Sequence, residues 1–263
     1  MLSHTGRACH HDLGPTGQHP QRRDAADTSP SVVLTTWLHE TAAGDDRQPR
    51  LLRCADGTIL RLPVARWSGG VDDVDRALLD RARGPVLDVG CGPGRLCAEL
   101  HRQGTTVLGV ELLDAVPVRA RAAGAPLLIG DLFGPLPTPG SWRSILLADG
   151  NIGIGGDPVR LLRRLRAVLA PHGELLVELH PRELPAGPVR LEGLGVTSAW
   201  FDWSLVSLAT LPPVASTAGL TIRDTWEDDG RAFATLVAAS PPHPTAVPTL
   251  PTVSTRPEEY RTP

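Results

Sequence analysis

Four carboxylates stand at the ends of four short apolar runs, and three glycines follow the first of them. The carboxylates are Asp88, Glu111, Asp131 and Asp149. The glycines are Gly90, Gly92 and Gly94, with Cys91 between the first two. One acid at a strand end is ordinary. One at each of four successive ends is a site pattern, because a carboxylate withdrawn from water is costly unless solvent or a ligand meets it. A glycine-dense turn lets a ligand reach the backbone without meeting a Cβ. A helix starting just after the turn offers N–H groups to a carboxylate or a phosphate. Glu111 follows the turn by about twenty residues, where a carboxylate can accept both hydroxyls of a ribose. These residue types suit the binding of a nucleoside-bearing cofactor.

The elements that must position them alternate. The run from Val86 carries Asp88. Thr106–Val110 ends at Glu111, Pro126–Ile129 at Gly130-Asp131, and Ser144–Leu147 at Asp149-Gly150-Asn151. Glu174–Leu179 makes a fifth strand, closed by His180. Helical patterns lie between them. One begins at Asp72 or Asp73 and runs through Val74, Leu78 and Leu79. Another carries Leu96, Cys97 and Leu100, a third covers 114–123, and a fourth covers 157–170 with a leucine face. Strand–helix alternation predicts a parallel sheet with right-handed crossovers, and a ligand beyond the carboxyl ends of its strands. Residues 205–211 with Ala215 are predicted helical. Residues 220–226 and 231–238 are predicted as two strands joined by Glu227-Asp228-Asp229-Gly230.

Dinucleotide folds favour Gly-x-Gly-x-x-Gly after the strand. Here the third glycine comes one residue early, which weakens a nicotinamide oxidoreductase reading. The segment Leu87-Asp88-Val89-Gly90-Cys91-Gly92-Pro93-Gly94 resembles motif I of the class I S-adenosylmethionine-dependent methyltransferases. The resemblance covers residues 72–180 well and 205–239 in outline. It implies an α/β fold: a Rossmann-like, seven-stranded, mostly parallel sheet with an antiparallel last strand. It implies S-adenosylmethionine as cofactor, with Asp88, Gly90, Cys91, Gly92 and Gly94 around its methionine end. It gives Glu111 the ribose hydroxyls and Asp131 the adenine amino group. Leu112 is expected against the adenine face, and Leu132 with Phe133 is expected to supply backbone contact and apolar wall.

Asp149-Gly150-Asn151-Ile152-Gly153-Ile154-Gly155-Gly156-Asp157-Pro158 holds the chain's sole asparagine among four glycines. It resembles a run found in small actinobacterial class I methyltransferases of unassigned substrate. It is not the Asn/Asp-Pro-Pro-Tyr/Phe motif of amino-directed nucleic-acid methyltransferases. By position, Asp149 is expected to balance the sulfonium charge or receive a proton, and Asn151 to orient the acceptor. His180 is the best-placed histidine for a general base, and a structural histidine closing a strand is the alternative. Arg66 is a candidate partner for the methionine carboxylate, or a surface arginine. Trp200, Phe201 and Trp203 either wall an acceptor pocket or pack over the sheet. Arg160, Arg163, Arg164 and Arg166 are expected on a solvated face. The expected reaction is methyl transfer to an O, N or C nucleophile of a small molecule. The alternative is a protein that binds S-adenosylmethionine without transferring its methyl group.

Composition narrows the rest. The 263 residues carry 26 basic side chains, all of them arginine, and a net charge of −3. No basic excess suggests a nucleic-acid surface, and lysine is excluded as a base or Schiff-base nucleophile. The four cysteines form no CxxC pair, and no metal-ligand spacing is present; His4, His10, His11 and His19 with Cys9 read as a solvated tail. No signal peptide and no membrane-length apolar run are seen, so a cytoplasmic protein is expected. Residues 1–30 and 240–263 read as disordered, 31–70 as a helix-plus-hairpin cap, and 71–239 as the cofactor domain. In the cap, Ser31 is expected to cap the helix, and Asp56-Gly57 to turn the hairpin.

Overall fold

The computed structural model describes residues 28–44, 48–184 and 187–239, so the disorder expected for 1–27 and 240–263 falls outside them. In chain order the elements are α1 (Pro30–Ala42), β1 (Leu51–Cys54), β2 (Ile59–Arg61), α2 (Val64–Ser68), α3 (Asp73–Leu79), β3 (Val86–Val89), α4 (Arg95–Arg102) and β4 (Val107–Glu111). Next come α5 (Val118–Ala122), β5 (Leu127–Ile129), β6 (Trp142–Leu147), a 3₁₀ turn at Asn151–Gly153, α6 (Pro158–Arg166) and β7 (Leu169–Leu179). The chain ends with β8 (Val189–Gly193), β9 (Val196–Thr197), α7 (Leu211–Thr217), β10 (Leu220–Asp228) and β11 (Arg231–Ala238). Two compact units result. One holds the described residues before Gly70 together with 187–202, and the other holds the remainder.

The larger unit is a seven-stranded sheet in the order β10-β11-β7-β6-β3-β4-β5. Strands β5, β4, β3, β6 and β7 are mutually parallel, and β11 is antiparallel to both β7 and β10. Strand β3 is buried along its whole length, as a central parallel strand covered on both faces must be. Asp88 lies level with Gly109 of β4 and Leu146 of β6. That register brings Glu111 and Asp149 to the same edge as Asp88, on either side of it. Gly109 is required for the packing behind this edge: a Cβ there would sit 2.9 Å from Leu127 Cδ2, 3.0 Å from Cys91 Sγ and 3.2 Å from Cys97 Sγ.

The helices follow from their caps and faces. Asp72 accepts from the Asp75 amide while the Asp75 carboxylate faces the Asp72 amide, a reciprocal capping box for α3. Asp157 caps α6, Pro158 occupies its first turn, and Leu161, Leu162 and Leu165 are buried beneath it. Asp229 and Gly230 both take positive φ, the two-residue turn that suits the twist of the β10–β11 hairpin.

Three predicted segments differ. The helix over 157–170 stops at Arg166, because β7 already begins at Leu169, paired with Trp142, and runs irregularly through Pro171-His172-Gly173. The helix over 114–123 is reduced to Val118–Ala122. Residues 205–210 are not helical: Ser207 and Thr210 exchange side-chain and backbone hydrogen bonds, a local alternative to helix, and α7 starts at Leu211 with prolines behind it.

The smaller unit is an antiparallel sheet in the order β2-β1-β8-β9. The hairpin turns at Asp56-Gly57 with Gly57 at φ +93°, and Leu52, Cys54 and Leu60 face inward. Trp37 of α1 is buried, and a Cβ on Gly193 would lie 3.1 Å from its ring. Helix α1 begins at Pro30 after Ser29 rather than after Ser31, without a side-chain cap. A two-strand hairpin is marginal by itself. Here residues 187–202, predicted as an insertion in the cofactor domain, add the missing strands. Trp200 and Phe201 belong to this unit, and Trp203 to the larger one.

Candidate functional site

At the carboxyl edge of the parallel strands, Gly90, Gly92 and Gly94 take φ of +65°, +56° and +87°, a conformation that disfavours a side chain. They serve different ends. A Cβ on Gly94 would meet Ala120 Cβ at 2.5 Å, and one on Gly90 would meet Ile154 Cδ1 at 2.9 Å and Asn151 Nδ2 at 3.0 Å. Those two glycines let α5 and the loop after β6 press against the turn. A Cβ on Gly92 would meet nothing within 4 Å. Gly92 is therefore the position whose backbone faces open space.

Glu111 and the turn are joined directly. The Gly92 amide donates to Glu111 Oε2 at 3.0 Å, and the Leu113 amide to Oε1 at 3.0 Å. Each oxygen retains acceptor capacity for a hydroxyl. Leu112 between them is 62% exposed, an apolar side chain presented outward. Asp131 is exposed and accepts from the Phe133 amide through Oδ1, an Asx turn that fixes its direction. Leu132 departs from the predicted wall. Its side chain is buried in the core beneath the sheet, and its carbonyl accepts from Arg164 Nε. The Phe133 ring lies under the Arg160 guanidinium at 4.0 Å. Arg160, Arg163 and Arg164 thus hold the loop after β5 and the end of α7, where a solvated face was predicted.

Asn151 does not aim its amide at an acceptor, as the sequence suggested. Its Nδ2 donates to the carbonyls of Val89 and Gly90, both at 2.8 Å. The sole asparagine ties the loop after β6 to the glycine turn. Asp149 has positive φ (55°), and its amide donates to Glu178 Oε2 at 2.7 Å. Its carboxylate is gripped by Arg95, with Nη1 to Oδ2 at 2.6 Å and Nη2 to Oδ1 at 3.3 Å. Both oxygens of Asp149 are thus engaged by Arg95.

Arg95 also grips Asp75, with Nε to Oδ2 at 2.7 Å and Nη2 to Oδ1 at 2.9 Å. Arg231 grips Glu178 by both oxygens at 2.9 Å and reaches Asp75 at 3.0 Å. The result is a buried ion network joining α3, α4, the end of β6, β7 and β11. Burial would lower the proton affinity of both arginines, and the carboxylates of Asp149, Asp75 and Glu178 more than reverse it. At Asp75, burial pushes the carboxyl up, and Arg95 with Arg231 holds it net below its ordinary range. The sequence reading assigned no role in the site to Asp75, Arg95, Glu178 or Arg231. The one available signal was the placement of Arg95 directly after Gly94.

Asp88 sits behind the turn and is 2% exposed. The Cys97 amide donates to it, and its Oδ2 has no hydrogen-bond partner. Burial raises its carboxyl to about 7; Arg95 opposes the rise, and Asp149 and Glu111 add to it. Burial likewise pushes the Cys97 thiol up to about 12 and raises that of Cys91, so both sulfurs stay protonated and poorly nucleophilic. His180 follows β7, and its Nδ1 lies 2.8 Å from the Arg182 carbonyl and 3.2 Å from the Arg182 amide. Both contacts engage Nδ1 rather than Nε2. Arg66 lies in α2 of the smaller unit. Among the described residues, no group of three or more His, Cys, Asp or Glu is placed to hold a metal, and no helix is long and apolar enough to cross a membrane.

A family model described as a methyltransferase domain matches residues 65–204. Trans-aconitate 2-methyltransferase of Paracidovorax citrulli is 27% identical over 121 residues, 44% of this chain and 46% of that protein. The chain thus matches under half the length of this curated relative. A S-adenosylmethionine-dependent methyltransferase of Bacteroides fragilis, solved with S-adenosyl-L-homocysteine, superposes with a TM-score of 0.64 at 18% identity, over 82% of this chain and 97% of that one. The 1,6-didemethyltoxoflavin-N1-methyltransferase of Burkholderia thailandensis does so with a TM-score of 0.54 at 17% identity, over 86% and 99%.

Proposed function

The chain belongs to the methyltransferase-domain family, and from that premise we propose that it methylates a small molecule, binding S-adenosylmethionine at the carboxyl edge of β3 and β4. The observation that carries this reading is the joined pair of Gly92 and Glu111. An open glycine backbone lies 3.0 Å from a carboxylate that retains acceptor capacity on both oxygens. The residues fit the cofactor. Glu111 would take the ribose hydroxyls, Leu112 would cover the adenine face, and Asp131 would meet the adenine amino group through its second oxygen. The open backbone at Gly92 would face the methionine end.

Bound there, S-adenosylmethionine supplies a methyl group already activated on a positively charged sulfur. The protein's part is to align donor and acceptor and to exclude water. Asn151 acts by holding the turn in shape, and Arg95 by holding Asp149. His180 Nε2 is the candidate base for an acceptor that must lose a proton.

The small-molecule acceptor is supported by the named activities of the relatives and by the mildly acidic net charge of −3. A cytoplasmic location is consistent with free cysteines at 54, 91 and 97. A screen reading S-adenosylhomocysteine release tests the acceptor class. Small carboxylic acids, phenols and heteroaromatic amines would be compared with bulk RNA and protein. Turnover on a small molecule is expected; turnover on RNA or protein alone would overturn the assignment.

A further inference from the structure

Five carboxylates crowd the site: Asp75, Asp88, Glu111, Asp149 and Glu178. Among the described residues, the guanidiniums of Arg95 and Arg231 enter the ion network among them. The arginines are spent on Asp75, Asp149 and Glu178. Glu111 is satisfied by two amides. Asp88 is left with one amide and with a buried oxygen, Oδ2, that has no hydrogen-bond partner. The sheet register places it between Glu111 and Asp149, level with the strand positions that lead to each. A cation entering between those two acids comes within electrostatic reach of Asp88.

We propose that Asp88 is the residue by which the site distinguishes S-adenosylmethionine from S-adenosylhomocysteine, by exchanging a proton with solvent as the sulfonium charge comes and goes. The inference rests on the cofactor reading above. The two ligands differ by one methyl group and one positive charge. With the site empty of cation, Asp88 holds a proton, because a further buried negative charge beside Glu111 and Asp149 is unfavourable. When the sulfonium enters, Asp88 releases that proton to water and becomes its counter-charge. One positive charge enters and one leaves. When the methyl group departs with the sulfonium charge, Asp88 takes a proton back and product is held less tightly. The groups facing Asp88 are Arg95 and Cys97 from α4, Glu111 from β4, Asp149 from the end of β6, and Cys91 from the turn. With its folded carboxyl at about 7, Asp88 titrates near neutral pH.

The test is calorimetric binding of each ligand in buffers of different ionisation enthalpy, which counts protons released. At pH 7, S-adenosylmethionine is expected to release about half a proton and S-adenosylhomocysteine distinctly less. Affinity for S-adenosylmethionine should fall roughly tenfold from pH 8 to pH 6, and that for S-adenosylhomocysteine less. Asp88→Asn keeps the side chain's size and an acceptor for the Cys97 amide, and should abolish the difference in proton count. Equal proton counts for the two ligands, or an unchanged difference in Asp88→Asn, would overturn the proposal while leaving the cofactor site standing. Failure of both ligands to bind would overturn the cofactor reading and this inference with it.

Discussion

The side-chain amide of Asn151 stands 2.8 Å from the carbonyl oxygen of Gly90, so the loop after β6 and the glycine turn after β3 share one anchor. The same nitrogen reaches Val89, and Gly90 has no Cβ to obstruct the approach. The shape of the cofactor turn thus depends on a residue sixty positions downstream. Asn151→Ala should cost about 1–3 kcal/mol of stability, two hydrogen bonds at a half-buried site. It should also weaken S-adenosylhomocysteine binding by about tenfold as the turn loosens. Chemical denaturation and calorimetry on the same preparation check the two together. Intact binding with reduced stability would confine Asn151 to a structural part.

The three glycines of the turn should respond differently to alanine. All carry positive φ, so each variant bears a backbone cost of about 1–2 kcal/mol. Gly94→Ala adds a collision with Ala120 and is expected to destabilise the fold severely. Gly92→Ala meets no neighbour, so the protein should fold and lose ligand affinity instead. Thermal melts with and without S-adenosylhomocysteine separate them: Gly92→Ala should lose only the few degrees its backbone cost implies and show little ligand-induced rise.

Arg231 links the last strand to the site through Glu178 and Asp75. Removing one partner of a buried pair leaves charge unmatched, at about 3–5 kcal/mol. Arg231→Ala is expected to lower Tm by roughly 6–15 °C. Arg231→Lys should lose less, since it keeps the charge but cannot grip both Glu178 oxygens. Equal losses in both variants would show that the paired hydrogen bonds of the guanidinium, rather than its charge, are what Arg231 supplies.

Much of this arrangement is legible in the sequence because it rests on local signals. The acids at the ends of β3, β4 and β6 and the turn glycines are set by strand periodicity and backbone conformation, and they stand where the spacing places them. The ion network is not legible. Arg95 and Arg231 are two of 26 basic residues, and nothing local marks them as buried. Their partners come from α3, β6 and β7, brought together only by the crossovers. Strands β8 and β9 were hidden for a related reason: β8 pairs with β1, some 140 residues earlier, and β9 pairs with β8. Leu132 turns its side chain into the core, and Asn151 turns its amide nitrogen to the glycine turn. Position along a strand says where a residue lies, and the packing behind it decides which way its side chain is used.

Asp88 should also leave its mark on stability without ligand. Its carboxyl is raised in the folded protein to about 7, from an unfolded value near 4. Between those values the folded state binds more protons than the unfolded, so this group makes stability fall as pH rises from about 4 to about 7. Asp88→Asn removes the penalty. Relative to the wild type, the variant should gain in Tm on going from pH 4.5 to pH 8. A difference between the two proteins that stays constant with pH would show that Asp88 does not titrate in this window.

The most direct measurement is calorimetric titration of the protein with S-adenosylhomocysteine and, separately, with NAD, using Glu111→Ala as control. The account expects micromolar binding of S-adenosylhomocysteine, no measurable binding of NAD, and at least a tenfold loss in the variant. Binding of NAD in place of S-adenosylhomocysteine, or S-adenosylhomocysteine binding untouched by the loss of Glu111, would contradict the site described.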